Sequence, residues 1–299
     1  MKLGRPIVNW LYGHSYRGAL RRRKIYPPRG EFKELINVPY IEGDNDPQHS
    51  FDVYYANENK KNICLIDIHG GSYIFGEHLD NYPFCYAFVR EGFDAVNIDY
   101  QVNDGTRNIR DSISDILKCL TYVVEHLKEL GLENDRIVIT GDSAGGHFAL
   151  LCAELLCDEK YAAELGYKLP KVDLMACLVN CPVYDFANLK NGWLSNSGAK
   201  RMFGPDHKDP NYFNELCPKL HIDSLKAPLF TSTCSQDFLR NHSLMLQEDM
   251  KDRNLTFKFF DIQSKRKGIG HVHNVLHPEY EESILVNNAM MDFVLSLKH

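Results

Sequence analysis

Short runs of apolar and β-branched residues alternate along this chain with longer stretches in which apolar positions recur every three or four residues. The first pattern predicts strands at Phe32–Ile41, Phe51–Ala56, Asn62–His69, Phe93–Asp99, Arg136–Thr140, Leu174–Asn180, Pro228–Cys234 and Thr256–Ile262. The second predicts helices at Ile109–Leu130, Ala144–Cys157, Phe238–Arg253 and Pro278–Leu297, the last two the most amphipathic. Strands separated by helices of this length build an α/β fold, with a mainly parallel sheet covered by helices. Between the strands ending at Asn180 and beginning at Pro228 the pattern lapses. Val183 to Ala227 is rich in Asn, Gly, Pro and single aromatics, and reads as an insertion that shapes or covers a site.

Composition narrows the function classes. With 299 residues, 44% hydrophobic and 25% charged, the chain suits one folded α/β core carrying an insertion. A net charge of −6 gives no general attraction to nucleic acid or to an anionic membrane. No apolar run approaches the roughly 18 residues of a spanning helix, so no membrane partner is expected. The basic N-terminal stretch, with Arg5, Arg17, Arg21, Arg22, Arg23 and Lys24, has no export-type apolar segment and reads as the solvated face of a helix near the site. The 9 cysteines are odd in number, lack a CxxC pair and lie mostly in apolar runs, as reduced thiols of a cytoplasmic protein would.

The most informative chemistry is Gly141-Asp142-Ser143-Ala144-Gly145-Gly146, a G-x-S-x-G motif between a predicted strand and a predicted helix. A serine on so tight a turn stands above the sheet, and the helix start places the Ala144 amide beside any oxyanion formed there. A second glycine pair closes another apolar strand in His69-Gly70-Gly71-Ser72-Tyr73, so Gly70 and Gly71 are the further expected oxyanion donors. His69 reads as a buried anchor of that loop.

A serine at its ordinary pKa needs a base and an orienting carboxylate, which in this motif's usual order follow it as acid and then histidine. Asp237, just after the strand Pro228–Cys234, is the candidate acid, favoured by spacing and order over the alternative of a cap for the helix that begins at Phe238. The base is His271 or His273 in Gly270-His271-Val272-His273-Asn274, His271 being preferred because a glycine precedes it. A metal bound by His271, His273 and His277 is disfavoured because no carboxylate or cysteine stands at ligand spacing.

The H-G-G and G-D-S-A-G-G motifs together resemble those of the α/β-hydrolase superfamily, and within it the hormone-sensitive-lipase-like carboxylesterases, from about Phe51 to the C-terminus. The resemblance implies an eight-stranded sheet, with Ser143 as nucleophile, Asp237 as acid, His271 as base and Gly70, Gly71 and Ala144 as the oxyanion hole. Asp99-Tyr100 and Asp115 match further acidic positions, although Gln101 stands where the family has arginine. The resemblance also implies a cap built from residues 1–30 and 183–227, with Tyr73, Trp193, Phe203, Tyr212 and Phe213 as candidates for the substrate pocket. The activity implied is hydrolysis of small or aryl acyl esters, including acetyl or hydroxycinnamoyl esters of sugars, without cofactor or metal. The partner is then a small-molecule ester, and a homodimer is compatible. An amidase, arylformamidase or peptidase would share every motif, and a non-catalytic ligand-binding protein would need a broken triad.

Overall fold

Eight strands form one sheet: β1 (Lys33–Pro39), β2 (Ser50–Tyr55), β3 (Cys64–Ile68), β4 (Asp94–Ile98), β5 (Ile137–Asp142), β6 (Leu174–Asn180), β7 (Leu229–Cys234) and β8 (Phe257–Ile262). The computed structural model describes residues 3–132, 136–189, 194–251 and 253–297. The strand order is β1-β2-β4-β3-β5-β6-β7-β8; β2 runs antiparallel to both β1 and β4, and the other neighbours are parallel. Both faces of the central strands are buried, which explains their near-continuous apolar sequence.

The helices are α1 (Arg5–Arg23), α2 (Tyr82–Arg90), α3 (Ile109–Glu125), α4 (Ala144–Cys157), α5 (Glu159–Glu164), α6 (Phe186–Leu189), α7 (Asn196–Phe203), α8 (Pro210–Glu215), α9 (Pro218–His221), α10 (Arg240–Met250), α11 (His273–Leu276) and α12 (Glu281–Ser296). Ile66, Ile68, Val96 and Ile139 face a core shared with Ile113, Ile116 and Leu120 of α3 and Phe148, Leu151 and Leu155 of α4. Leu65, Ala95, Val138 and Leu178 face the other core, with Phe84 and Phe88 of α2 and Met290 and Val294 of α12. Each such aliphatic or aromatic side chain contributes about 1.5 to 3 kcal/mol by leaving water.

Two expectations about the helices are corrected. The most amphipathic of the four predicted helices is α3, which buries Ile109, Ile113, Ile116, Leu117 and Leu120, whereas α10 buries only Ser243, Leu246 and Met250. Helix α3 also starts on a full capping box, Asn108 with Asp111, worth about 1 kcal/mol. The predicted helix at Phe238 begins instead at Arg240, because the Asp237 carboxylate accepts the Leu239 amide at 2.9 Å and holds a separate turn.

The N-terminal segment and the insertion meet one another. Leu3 bridges Leu194, the Ser195 amide donates to the Leu3 carbonyl at 2.8 Å, and Arg201 donates to Asn9 at 2.9 Å. Tyr12 of α1 packs edge-on against Phe75, 6.0 Å between centroids, and so reaches the loop after β3. No described helix is long and apolar enough to cross a membrane. All nine cysteines are unpaired thiols, and eight of them are buried.

Candidate active site

Strand β5 delivers Ser143 at a forced turn. Its φ of 55° and ψ of −115° are strained for a residue with a side chain, and such strain persists only where the surroundings impose it. Gly145 shows why the motif needs glycine: a Cβ there would stand 2.0 Å from the Ile68 carbonyl oxygen, so only a bare backbone lets α4 start this close to β3. Ser143 occupies the position before the first residue of α4, yet its hydroxyl makes no capping bond. It donates instead to Nε2 of His271 at 2.8 Å.

His271 Nδ1 lies 2.6 Å from Asp237 Oδ1. A carboxylate only accepts, so Nδ1 carries the proton and Nε2 is left to receive that of Ser143. Burial pushes the Asp237 carboxyl up, but the His271 ring, the Leu239 amide and the Thr233 hydroxyl (2.8 Å) outweigh it and hold the group below the usual carboxylate range. Asp237 is therefore the partner of a histidine, and in place of the expected helix cap it closes the separate turn before α10.

The loop that carries His271 is tethered on both sides. The Cys234 thiol donates to the Gly270 carbonyl at 3.2 Å, and the Val272 amide donates to Cys181 Sγ at 3.4 Å. His273 is buried elsewhere, its Nδ1 3.3 Å from the Gly270 carbonyl, and burial lowers its pKa. Of the two histidines, His271 is the one joined to Ser143. His277 stacks on Tyr280 and pairs with Glu279 rather than joining the other two. Among the described residues, Cys181, Asp237 and His271 are the grouping whose ligand atoms come within 4.8 Å of one another, and the Asp237 and His271 atoms are already engaged with each other.

The oxyanion expectation needs one correction. The Gly70 amide donates to Asp142 Oδ1 at 2.9 Å, which occupies it. Among the described residues the amides of Gly71 and Ser72 meet no acceptor, and that of Ala144 starts a helix, where no intrahelical acceptor exists. Gly71 has a φ of 129° and a Cβ there would fall 1.8 Å from the Phe75 carbonyl oxygen, so the turn tolerates glycine alone. His69 is fully buried, its Nδ1 2.7 Å from the Gly70 carbonyl and its ring stacked on Tyr100; Nε2 lies 3.4 Å from Asp99, which also holds His78. Asp115 is further away in role, paired with Arg107 at 3.0 Å.

Sequence reading missed Asp142, the variable position of the motif, which ties the turn of Ser143 to the loop of Gly71. Asn81 Nδ2 donates both to Asp142 Oδ1, at 2.9 Å, and to Asp67 Oδ2, at 2.8 Å, so two buried carboxyl groups share one amide. Burial, and then the neighbouring Asp142 charge, push the Asp67 carboxyl up to about 8. A carboxyl raised on folding stabilises the protein while protonated, so its contribution is whole below the unfolded value near 4 and lost as pH rises toward 8. Thermal unfolding should therefore show the wild-type Tm falling relative to that of Asp67→Asn between about pH 4 and pH 8. Parallel curves for the two proteins would refute the raised carboxyl.

Four of the five aromatic residues expected to line a pocket are packed into the interior. Tyr73, Phe203, Tyr212 and Phe213 are all buried. The Tyr73 hydroxyl donates to His147 Nδ1 at 3.1 Å, and its ring meets Phe148, Phe186 and Phe203 at 5.5 to 6.0 Å. The Tyr212 hydroxyl donates to the Phe203 carbonyl at 2.7 Å. Phe213 stacks on Phe186. Their patterning as isolated aromatics in a polar stretch is that of a small core, here the one under the insertion. Trp193 lies outside the described residues. Phe238, which sequence reading assigned to a helix, stands exposed with its ring centroid 4.2 Å from that of His271.

The family model BD-FAE matches residues 51–249. Lipase 2 of Moraxella sp. is 23% identical over 266 residues, covering 76% of this chain and 61% of its own length. Esterase LipQ of Mycobacterium tuberculosis is 27% identical over 195 residues, 57% of this chain and 46% of its own. The chain thus spans at most about three-fifths of the length of these curated relatives. Among solved structures, Esterase B from Lactobacillus rhamnosis superposes with a TM-score of 0.86 at 22% identity, covering 97% of this chain and 93% of that one. The fold is that of the α/β-hydrolases.

Proposed function

This chain belongs to the BD-FAE family, and from that premise we propose that it is a serine carboxylesterase acting on esters of short acyl groups. The observation that carries the reading is the unbroken relay from Ser143 through His271 to Asp237, at 2.8 and 2.6 Å, on a turn that lifts the hydroxyl off the sheet. Ser143 attacks the ester carbonyl while His271 Nε2 takes its proton. The amides of Gly71 and Ala144, with Ser72 in place of Gly70, receive the oxyanion, each worth about 3 kcal/mol of transition-state stabilisation. The carbon–oxygen bond to the alcohol then breaks, His271 returns the proton to the departing oxygen, and water admitted by the same base releases the acid.

The short acyl preference is supported by the filled space behind the oxyanion turn. Tyr73 follows that turn directly and is buried among His147, Phe148, Phe186 and Phe203. Helix α1 with residues 183–189 and 194–227 is the cap in this reading, supported by their contacts through Leu3 with Leu194 and Asn9 with Arg201. The relatives named lipase and esterase, and the solved Esterase B inhibited by a tributyrin phosphonate, are in keeping with this reading.

A ladder of p-nitrophenyl esters from acetate to palmitate, with methyl ferulate beside it, tests the substrate class. The expected kcat/KM peaks at acetate to butyrate and falls at least about tenfold by octanoate, the loss expected when methylenes cannot be seated. A maximum at long chains or at ferulate would overturn the short-acyl assignment.

A further inference from the structure

Phe238 is 76% exposed, the highest among the exposed large apolar side chains of the described residues, and it adjoins the residue that moves the proton. Its backbone is fixed. The Asp237 amide donates to the Cys234 carbonyl at 3.1 Å, the Leu239 amide to Asp237 Oδ1 at 2.9 Å and the Arg240 amide to the Asp237 carbonyl at 3.2 Å. A ring so placed adds little to the fold, because it leaves most of its surface in water. Its described aromatic neighbour is the imidazole of His271, tilted by 43°.

Position along the reaction gives that ring a meaning. His271 Nε2 faces Ser143 Oγ and must also face the oxygen of the departing alcohol, since it hands the proton to that oxygen as the carbon–oxygen bond breaks. A group lying against the imidazole at the mouth of the site therefore flanks the alcohol half of the ester. The ring of Tyr73, next to the oxyanion turn, is by contrast buried against Phe148, Phe186 and Phe203.

Resting on the esterase reading, we propose that Phe238 is a specificity-determining residue, a platform on which the apolar ring of an aromatic alcohol packs as it leaves. The substrate class is then an ester of a short acid with an aromatic alcohol. Ring-on-ring contact is sequence-independent packing worth up to roughly tenfold in binding, and it acts only on substrates that carry a ring there.

The test compares 2-phenylethyl acetate with ethyl acetate, which share an acyl group and differ in the alcohol. In the wild type the ratio of their kcat/KM values favours the phenylethyl ester; Phe238→Ala should lower that ratio about fivefold, and Phe238→Tyr should restore it. With 2-phenylethanol added as a competing acceptor for the acyl-enzyme, the fraction of acyl transfer over hydrolysis should fall by a similar factor in Phe238→Ala. Because the side chain is exposed, the Tm should stay within about 2 °C of the wild type. A ratio unchanged by Phe238→Ala, or equal losses on both esters, would overturn the platform. A wild type that hydrolyses no ester of either series would overturn the esterase reading itself.

Discussion

Replacing Ser143 by alanine should abolish ester hydrolysis, lowering kcat by about 10⁴ to 10⁶ and leaving only what the oxyanion amides and substrate binding supply. Every described interaction of the hydroxyl leads to one place, the Nε2 of His271 at 2.8 Å. The side chain caps no helix, so its loss removes no structural bond from α4. The backbone strain at φ 55° is unaffected by shortening the side chain to a methyl group, and the unfolding temperature should match that of the wild type. Steady-state kinetics on p-nitrophenyl acetate with a parallel thermal melt separates these two outcomes. A folded Ser143→Ala protein that retains more than about a hundredth of wild-type turnover contradicts the assignment.

The second large effect distinguishes two histidines that stand two residues apart. His271→Ala should lose as much activity as Ser143→Ala, and the double variant should lose no more than either, because members of one relay fail as a unit. His273→Phe should keep activity within about tenfold. His273 is buried with Nδ1 directed at the Gly270 carbonyl, and its ring contributes volume rather than a proton. If His273→Phe were as inactive as His271→Ala while still folded, the base would have to be reassigned.

Much of this was legible before the structure because the deciding constraints are local. A serine between glycines, after an apolar strand and before an apolar helix, can make only a few turns, and Asp237 and His271 each follow a strand that the sequence predicts. Segments without a period were harder. Helix α2 buries seven of its nine residues, so its sequence, YPFCYAFVR, shows no polar face to betray a helix. The amphipathic signal of α10 was overstated because much of its apolar surface remains half-exposed.

The misreadings in the site have a common cause, contacts between residues far apart in sequence. Gly70 has the right chemistry for an oxyanion donor, but Asp142, 72 positions on, takes its amide. The aromatics of the insertion look like pocket walls by composition and become a core because Tyr73, far away in sequence, comes to meet Phe186 and Phe203. Phe238 was hidden for a different reason. The capping reach of Asp237 stops the helix short and turns the ring outward beside His271.

Covalent labelling shows directly whether Ser143 is the attacking group. The protein, treated with a serine-directed short-chain phosphonate, would be assayed for residual hydrolysis and digested for mass mapping at successive times. A single adduct is expected, on Ser143, growing in step with the loss of activity and absent from His271→Ala over the same period. Full activity with Ser143 completely modified, or inactivation that tracks an adduct on any other residue, would contradict it.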